Sequence, residues 1–350
     1  MSETVSIAIS DLVRDNIKRL QPFSSARSEY KGAAHIMLDA NEVPEDNGHN
    51  RYPDPTHAEL RALLADQQGT AIERIVLRNG SDELIDMIMR TFGRPGVDVV
   101  RYIRPTFGMY GVYADVNDLA KETVDLDADF DLDVDQVLHN QTSHNKLLFL
   151  CSPNNPTGNL LSADRIQQVL QGWKGIVVMD EAYIEFAERE SLITQLDAYP
   201  HLIVLQTFSK AKGAAGLRIG AAYASQEICS YLLKVKPPYN ISVHSQQRAM
   251  EILSRPDHLQ QIADTLVSER KKMAQALAQV AGIEKIYPSD ANFILMRCTD
   301  HSGLYAHLVG RGIVIRDRSK LMGCERCLRV TVGTLAENQA LITSVNEYYA

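Results

Sequence analysis

Three short, unbroken apolar runs in the middle of the chain predict three buried, parallel strands. The runs are residues 147–150, 176–179 and 202–205. Strands of a parallel sheet are covered on both faces, so they appear as continuous apolar segments rather than as alternating ones. Polar side chains follow each run directly, and ligands of open α/β sheets bind beyond the carboxyl ends of the strands. The pattern therefore predicts one crevice at which all three strands end.

The same alternation of strands and helices extends towards the N-terminus. Residues 75–77 form a predicted strand that leads into an amphipathic helix, with Ser81 as its expected N-cap. Residues 97–103 form the next predicted strand. Both strands are short and apolar, so we expect them to join the same sheet as the three central runs.

After residue 240 the pattern changes. Apolar positions between residues 259 and 280 have helical spacing, and short strands are predicted at 291–296 and 328–332. A change from alternating elements to this mixture favours two domains. We predict an N-terminal arm (1–30), a large three-layer α/β/α domain with a mostly parallel sheet (31–240) and a smaller α+β domain (241–350).

Composition excludes several classes of function. A chain of 350 residues is too long for one ordinary core, and its net charge of −8 disfavours nucleic acid as a partner. No apolar stretch approaches the ~20 residues of a membrane helix, and residues 1–17 do not have the pattern of a signal peptide. Five cysteines suggest a reducing compartment, and Cys324 and Cys327 lack the second pair that a structural zinc needs. We expect a cytoplasmic protein without a metal or a membrane partner.

The polar residues at the strand ends match the requirements of pyridoxal phosphate. Its aldehyde needs a desolvated amine, which Lys210 can supply, and its ring nitrogen needs a carboxylate, which Asp180 can supply. Asn155 and Tyr183 can donate to its ring oxygen, and Phe107 can lie on the ring face. The sequence therefore predicts Lys210, Asp180 and Tyr183 as catalytic residues.

A phosphate group needs backbone N–H groups, hydroxyls and one arginine. The start of the predicted helix after residue 77 offers free N–H groups and the positive end of the helix dipole. A guanidinium is preferred because its fork binds two phosphate oxygens. The predicted phosphate donors are Gly80, Ser81, Thr207, Ser209 and Arg218.

Four motifs resemble those of the fold-type I aminotransferases. They are Asn-Gly-Ser-Asp-Glu (79–83), Ser-Pro-Asn-Asn-Pro-Thr-Gly (152–158), Asp-Glu-Ala-Tyr (180–183) and Ser-Lys (209–210) with Arg218. Five further segments resemble the histidinol-phosphate aminotransferase family in particular. They are 39–42, 51–55, 238–242, 289–293 and 328–334. The resemblance covers nearly the whole chain, in order.

The resemblance implies roles that the residues alone do not. Tyr52 is expected to reach across a dimer interface to the neighbouring subunit's cofactor phosphate. Arg329 is expected to bind the substrate's anionic end, and Arg316 to be a second anion ligand. The Asn155–Pro156 peptide is expected to be cis. The remaining implied contacts are Asp82 with the cofactor, and Phe23, Asn41, Asn155 and Tyr52 with the substrate.

The chain departs from the family pattern at four positions. The family often has tyrosine where this chain has Phe23 and Phe107, so a hydroxyl is absent at each. These two differences bear on substrate affinity rather than on the type of reaction. Lys212 and Ala214 stand where the family usually has larger apolar residues, and Lys212 adds a charge near the expected site.

The resemblance implies a homodimeric enzyme of L-histidine biosynthesis. It would transfer an amino group reversibly between L-histidinol phosphate and 2-oxoglutarate, with pyridoxamine phosphate as the second form of the cofactor. In the biosynthetic direction it would use imidazole acetol phosphate and L-glutamate. The alternatives within the same fold are an aromatic or broad-range aminotransferase and a threonine-phosphate decarboxylase. An alternative of another class is a non-catalytic regulatory module that binds pyridoxal phosphate.

Overall fold

The computed structural model describes residues 8–24, 26–30, 32 and 36–350. The predictions for residues 1–7, 25, 31 and 33–35, which belong to the arm and to the beginning of the predicted large domain, lie outside the described residues. Within those described, no helix is both long enough and apolar enough to cross a membrane.

The described residues form strands in two sheets. The strands are β1 (Ile75–Arg78), β2 (Val99–Arg104), β3 (Ala120–Asp125), β4 (Asn145–Cys151), β5 (Ile176–Asp180), β6 (Leu202–Thr207), β7 (Gly220–Ala224), β8 (Ile283–Ile286), β9 (Phe293–Cys298), β10 (Arg316–Asp317) and β11 (Cys327–Thr331). The structure contains all five strands that were predicted before residue 240 and both strands that were predicted after it. Each lies within a few residues of its predicted bounds.

Helices connect these strands and cover the sheets. They are α1 (Ile9–Leu12), α2 (Asp15–Arg19), α3 (Ala26–Glu29), α4 (Ala58–Gln68), α5 (Ser81–Phe92), α6 (Met109–Val116), α7 (Val134–Leu138), α8 (Ala163–Gly172), α9 (Gln226–Val235), α10 (Val243–Leu253), α11 (Pro256–Leu277), α12 (His301–Gly310) and α13 (Leu335–Tyr349). Short 3₁₀ segments occur at Ile72–Arg74, Ile184–Phe186, Leu192–Gln195 and Ala215–Leu217.

The larger sheet has seven strands in the order β1-β7-β6-β5-β4-β2-β3. Strands β2 to β6 are parallel where they pair, whereas β7 is antiparallel to both β6 and β1. Alternate residues of β4 enter two different cores: Leu148 and Leu150 enter one, and Leu147 and Phe149 enter the other. Burial on both faces explains the unbroken apolar runs, and it confirms the predicted α/β class.

The smaller sheet has four antiparallel strands in the order β10-β11-β9-β8. It packs with α11, α12 and α13 around its own core, as an α+β unit does. Helix α10 buries Ala249 and Leu253 in the core of the larger sheet. We therefore propose that the boundary between the two units lies near Pro256, one helix later than residue 240.

One local prediction is wrong. Ser81 is the first residue of α5 rather than its N-cap, and the N-cap position is taken by Gly80. Gly80 has φ +83°, a conformation that residues with a Cβ rarely adopt. The chain can therefore turn sharply from β1 into α5, and no side chain caps this helix.

Candidate active site

A cavity of about 330 Å³ lies beyond the carboxyl ends of β4, β5 and β6 and extends to β10 and β11 of the smaller sheet. Gly80 does not line it, but a Cβ at Gly80 would lie 2.7 Å from Arg218 Nη2. The predicted residues that line it are Ser81, Asp82, Phe107, Asn155, Asp180, Tyr183, Thr207, Ser209, Lys210, Arg218, Arg316 and Arg329. Cys151, Ala182, Ala215 and Arg318 also line it and were not predicted. Within the described part of the chain, no three His, Cys, Asp or Glu side chains form a metal-ligand set.

Asp180 is the last residue of β5, and its carboxyl group is buried at the floor of the cavity. The Tyr110 hydroxyl donates to Asp180 Oδ2 at 2.7 Å, and the Ala182 N–H donates to Oδ1 at 3.1 Å. Burial raises the pKa of Asp180 to about 6, and the hydrogen bond from Tyr110 only partly opposes this shift. A positively charged ligand atom at this point would favour the ionised carboxylate.

Lys210 and Tyr183 line the same cavity and lie close to each other. Lys210 Nζ lies 5.5 Å from the centre of the Tyr183 ring, which packs edge-on against Phe293 at 5.2 Å. Burial is the main cause of a lowered pKa for Lys210, and the positive charge of Arg329 lowers it further. A lowered pKa increases the fraction of neutral amine, the form that acts as a nucleophile or base.

The N-terminal end of α5 forms the third wall. Arg218 Nη1 lies 3.3 Å from Ser209 Oγ, and Arg218 Nη2 lies 3.7 Å from an Asp82 carboxylate oxygen. A Cβ at Gly220 would lie 2.4 Å from the Ser81 backbone nitrogen, so only glycine permits this close approach. Uncapped helix N–H groups, a hydroxyl and a guanidinium therefore surround a space that can hold a phosphate.

Three arginines form the remaining wall. Arg316 faces Arg329 across the pairing of β10 with β11, and Arg318 continues beyond β10. Arg329 Nη1 donates to Asn155 Oδ1, and its guanidinium lies 5.0 Å from the centre of the Phe293 ring. This group of guanidinium groups, which belongs to the smaller sheet, can bind an anion.

Asn155 and Phe107 also line the cavity. The Asn155–Pro156 peptide is cis, as expected. Phe107 is partly buried and packs edge-on against Tyr110 at 5.6 Å. Phe107 can therefore still cover the face of a planar ligand, although it lacks a hydroxyl.

Two of the unpredicted residues, Tyr110 and Arg318, bear directly on the chemistry of the site. Tyr110, on α6, lies 70 positions before its partner Asp180, and no local pattern links them. Arg318 could have been found, because side chains two apart on an extended segment project to the same side and Arg316 was already a candidate. Tyr110 holds the carboxyl group in place, and Arg318 adds a third positive charge.

Phe23, Asn41 and Tyr52 do not line the cavity of their own chain. Asn41 and Tyr52 line a separate, open recess with Tyr239. Tyr52 stacks on Tyr239 at 4.5 Å, and Phe23 lies edge-on to Tyr239 at 6.1 Å. The Tyr52 N–H also donates to Glu42 Oε1 at 2.7 Å. These residues are thus held in contacts outside the cavity of their own chain.

Lys212 does not add a free charge to the site. Its ammonium lies 2.5 Å from Glu185 Oε1 and 5.4 Å from the centre of the Phe208 ring. The pair is partly buried, so the lysine neutralises a carboxylate beside the cavity. Lys212 is therefore the ion-pair partner of Glu185.

Glu181 projects away from the cavity, and burial raises its pKa to about 7. The carboxyl group accepts from Ser191 Oγ at 2.5 Å and from the Leu192 N–H at 2.8 Å, but these bonds do not offset the loss of hydration. The folded chain therefore keeps a proton that the unfolded chain releases near pH 4.5. The stabilising contribution of this proton is complete below pH 4.5 and is lost as the pH rises through 7.

We expect the Glu181→Gln variant to show a smaller loss of stability with rising pH. The wild-type free energy of unfolding should fall by about 3 kcal/mol between pH 4.5 and 8 because of Glu181 alone. Guanidinium unfolding of the cofactor-free protein at several pH values measures this slope. Glu190→Gln, an exposed change nearby, is the control. Parallel slopes in wild type and Glu181→Gln would contradict the assignment, since the slope that Asp180 contributes is common to both.

Comparisons with known proteins cover nearly the whole chain. The family model described as aminotransferase class I and II matches residues 26–345. A histidinol-phosphate aminotransferase of Cytophaga hutchinsonii is 45% identical over 348 residues, which cover 98% of this chain and 100% of the relative. One of Flavobacterium psychrophilum is 47% identical over 340 residues, 96% of this chain and 97% of the relative. The solved histidinol-phosphate aminotransferase of Sinorhizobium meliloti, in complex with pyridoxal-5'-phosphate, aligns with a TM-score of 0.78 at 25% identity, covering 85% of this chain and 83% of that one.

Proposed function

Since the chain belongs to the aminotransferase class I and II family, we propose that it transfers an amino group reversibly between L-histidinol phosphate and 2-oxoglutarate. In the biosynthetic direction of L-histidine synthesis, it would convert imidazole acetol phosphate and L-glutamate. The observation that carries this proposal is one cavity that holds an accessible lysine, a buried carboxyl group and four arginines. Relatives named for this activity are 44–47% identical over nearly their full lengths.

The proposed cofactor is pyridoxal 5'-phosphate, with pyridoxamine 5'-phosphate as its other form. The uncapped start of α5 with Ser209 and Arg218 fits its phosphate, and the buried Asp180 fits its ring nitrogen. Phe107 fits one face of the ring. When bound, the cofactor would accept electrons from the bond that breaks at the substrate α-carbon.

Lys210 would serve this chemistry in two ways. It would hold the cofactor through its amine, and it would take up the proton that leaves the substrate α-carbon once the substrate amine has displaced it. Its lowered pKa favours the neutral amine that both tasks need. Asp180 would keep the ring nitrogen protonated, and Tyr110 would keep Asp180 in position. Tyr183 would donate a hydrogen bond to the ring oxygen.

Arg316 and Arg329 would bind the anionic end of each substrate. Histidinol phosphate presents a phosphate and glutamate a carboxylate, so the same guanidinium groups can accept both donors in turn. Asn155 accepts a hydrogen bond from Arg329, and it would contact both the cofactor and the substrate. The β10–β11 pairing places the arginines on the smaller unit, so movement of that unit against the larger one would close the site to water.

We further propose a cytoplasmic homodimer. Phe23, Tyr52 and the apolar side chains of Ile36, Leu38 and Val43 are all exposed, with 80% of Ile36 and 89% of Leu38 accessible. Ile36, Leu38 and Val43 are also close together in the sequence, and grouped exposed apolar side chains mark a surface that associates. Tyr52, Phe23 and Asn41 do not line the cavity of their own chain, and a second copy would bring them to its neighbour's cofactor and substrate. Nucleic acid and membranes are not proposed as partners.

Mixing the cofactor-loaded protein with L-histidinol phosphate, without a keto acid, tests the proposed reaction. We expect the visible absorbance of the bound cofactor to decay within seconds, because the amino group passes to the cofactor. Phenylalanine, supplied in parallel, should cause at least about a hundredfold slower decay. Addition of 2-oxoglutarate should then restore the band.

The alternatives give other outcomes in the same experiment. Decay with phenylalanine but not with histidinol phosphate would identify an aromatic aminotransferase. Release of carbon dioxide from threonine phosphate would identify the decarboxylase. A stable band with every amine would indicate a regulatory module that binds the cofactor without turnover.

A further inference from the structure

Arg318 lines the cavity together with Arg316 and Arg329. The pairing of β10 with β11 explains why the Arg318 side chain points into the cavity. Arg316 faces Arg329 across β10 and β11. The Arg318 N–H donates to the Cys327 carbonyl at 2.9 Å, so the pairing continues one step beyond β10. Side chains alternate along an extended segment, so Arg316 and Arg318 project to one side and Asp317 to the other. This wall of the cavity thus has three guanidinium groups rather than two, in addition to Arg218 near the start of α5.

These three groups lack a carboxylate partner. On the same unit Arg311 pairs with Glu347 at 2.5 Å, whereas among the described residues no carboxylate forms an ion pair with Arg316, Arg318 or Arg329. The Nε atoms of Arg318 and Arg329 are buried without a hydrogen-bond partner. Burial, followed by repulsion from neighbouring arginines, lowers the pKa of Arg318 and Arg329. Such concentrated positive charge is stabilised when an anion enters.

The acidic residues of the cavity have other partners. Asp82 lies 3.7 Å from Arg218 at the α5 end, and Asp180 receives its hydrogen bond from Tyr110 on the floor. Neither neutralises the arginine wall. A carboxylate carries one negative charge on two oxygens, whereas a phosphate monoester carries about −1.5 to −2 at pH 7 on three terminal oxygens. L-Glutamate has two carboxylates, but they are separated by three carbons, so each presents only one negative charge at one place. Two guanidinium groups are enough for the one carboxylate that meets this wall, and the third is in excess for it.

We propose that Arg318 is a specificity-determining residue that makes the site favour amine donors ending in a phosphate over donors ending in a carboxylate. This inference rests on the proposed function and refines it. Arg316 and Arg329 contact both kinds of donor, whereas Arg318 contributes a charge and a hydrogen bond that only the phosphate uses fully. Its contribution depends on the second ionisation of the phosphate, near pH 6.

Binding to the pyridoxamine phosphate form tests the proposal without turnover, because this form does not react with amines. Isothermal titration calorimetry would compare L-histidinol phosphate with L-glutamate for wild type, Arg318→Gln, Arg318→Lys and Arg311→Gln. We expect Arg318→Gln to weaken histidinol phosphate binding about tenfold or more and glutamate binding less than about threefold. Arg318→Lys keeps the charge without the fork and should fall between. Arg311→Gln, outside the cavity, should match wild type.

The pH dependence separates a role in phosphate recognition from a structural role. Wild-type affinity for histidinol phosphate should fall as the pH decreases through about 6, where the phosphate gains a proton. The fall should be shallower in Arg318→Gln, because the lost group interacts mainly with the second phosphate charge. An equal change for both donors, or no change for either, in both Arg318 variants would overturn the proposal.

Failure of the proposed function would look different. A wild-type protein that transfers an amino group from another amine, but not from histidinol phosphate, would remove the premise together with the inference. A wild-type protein that uses histidinol phosphate, combined with an unchanged ratio of the two affinities in Arg318→Gln and Arg318→Lys, would remove only the inference about Arg318.

Discussion

Replacing Lys210 with arginine should reduce turnover on the order of 10⁴-fold or more, because it removes both the amine that holds the cofactor and the base that moves the proton. Arginine keeps the positive charge and much of the bulk, so the cavity should remain intact. A guanidinium stays protonated at neutral pH and is therefore neither a nucleophile nor a base. Single-turnover kinetics with histidinol phosphate, followed through the absorbance of the cofactor, would measure the loss.

The same change two residues later is a matched control. Lys212→Arg keeps the charge that pairs with Glu185, so its turnover should stay within about threefold of wild type. A small amine added in solution should partly restore proton transfer to Lys210→Ala, in which space is available, but not to Lys210→Arg. Normal turnover in Lys210→Arg, or an equal loss in both arginine variants, would show that Lys210 has no special chemical role.

The parts of the fold that the sequence predicted are those whose cause is local. Residues of β4, β5 and β6 are buried on both faces, so an unbroken apolar run was sufficient to find each strand. The parallel pairing of these strands then brings their polar ends to one crevice, which is why Lys210, Asp180 and Asn155 could be proposed together. The order of seven strands, with β7 antiparallel between β1 and β6, has no comparable local signal.

The parts that were missed depend on contacts between distant segments. Tyr110 reaches Asp180 only because β2 and α6 pack beside β4 and β5. The prediction that Ser81 is the N-cap of α5 is wrong because Gly80 takes that position and permits a sharp turn. The preference of serine for N-cap positions gives no information on such a turn. Tyr52 and Asn41 line a recess separate from the cavity, and the contact of these residues with a substrate depends on the proposed second copy of the chain, which neither a local sequence pattern nor one folded chain describes.

Replacing Asp180 with asparagine should lower turnover about 10³-fold, because the ring nitrogen loses the negative charge that keeps it protonated. Asparagine has nearly the same shape and can still accept the Tyr110 hydrogen bond, so the floor of the cavity should be preserved. The variant should fold at least as well as wild type, since it removes a carboxyl group that is costly to ionise in this buried position. Pre-steady-state rates with histidinol phosphate would measure the effect on the chemical step.

The pH dependence of cofactor binding makes the test of Asp180 specific. The pKa of the Asp180 carboxyl group is raised to about 6, so the group is mostly protonated below pH 6. The carboxyl group must lose this proton before it can pair with a protonated ring nitrogen. Wild-type affinity for pyridoxal phosphate should therefore fall as the pH decreases from 7 to 5. The cofactor phosphate also titrates near pH 6, but it does so for both proteins. The difference between the affinity–pH profiles of wild type and Asp180→Asn isolates the contribution of the carboxyl group. Identical profiles would show that the carboxyl group does not face the ring nitrogen.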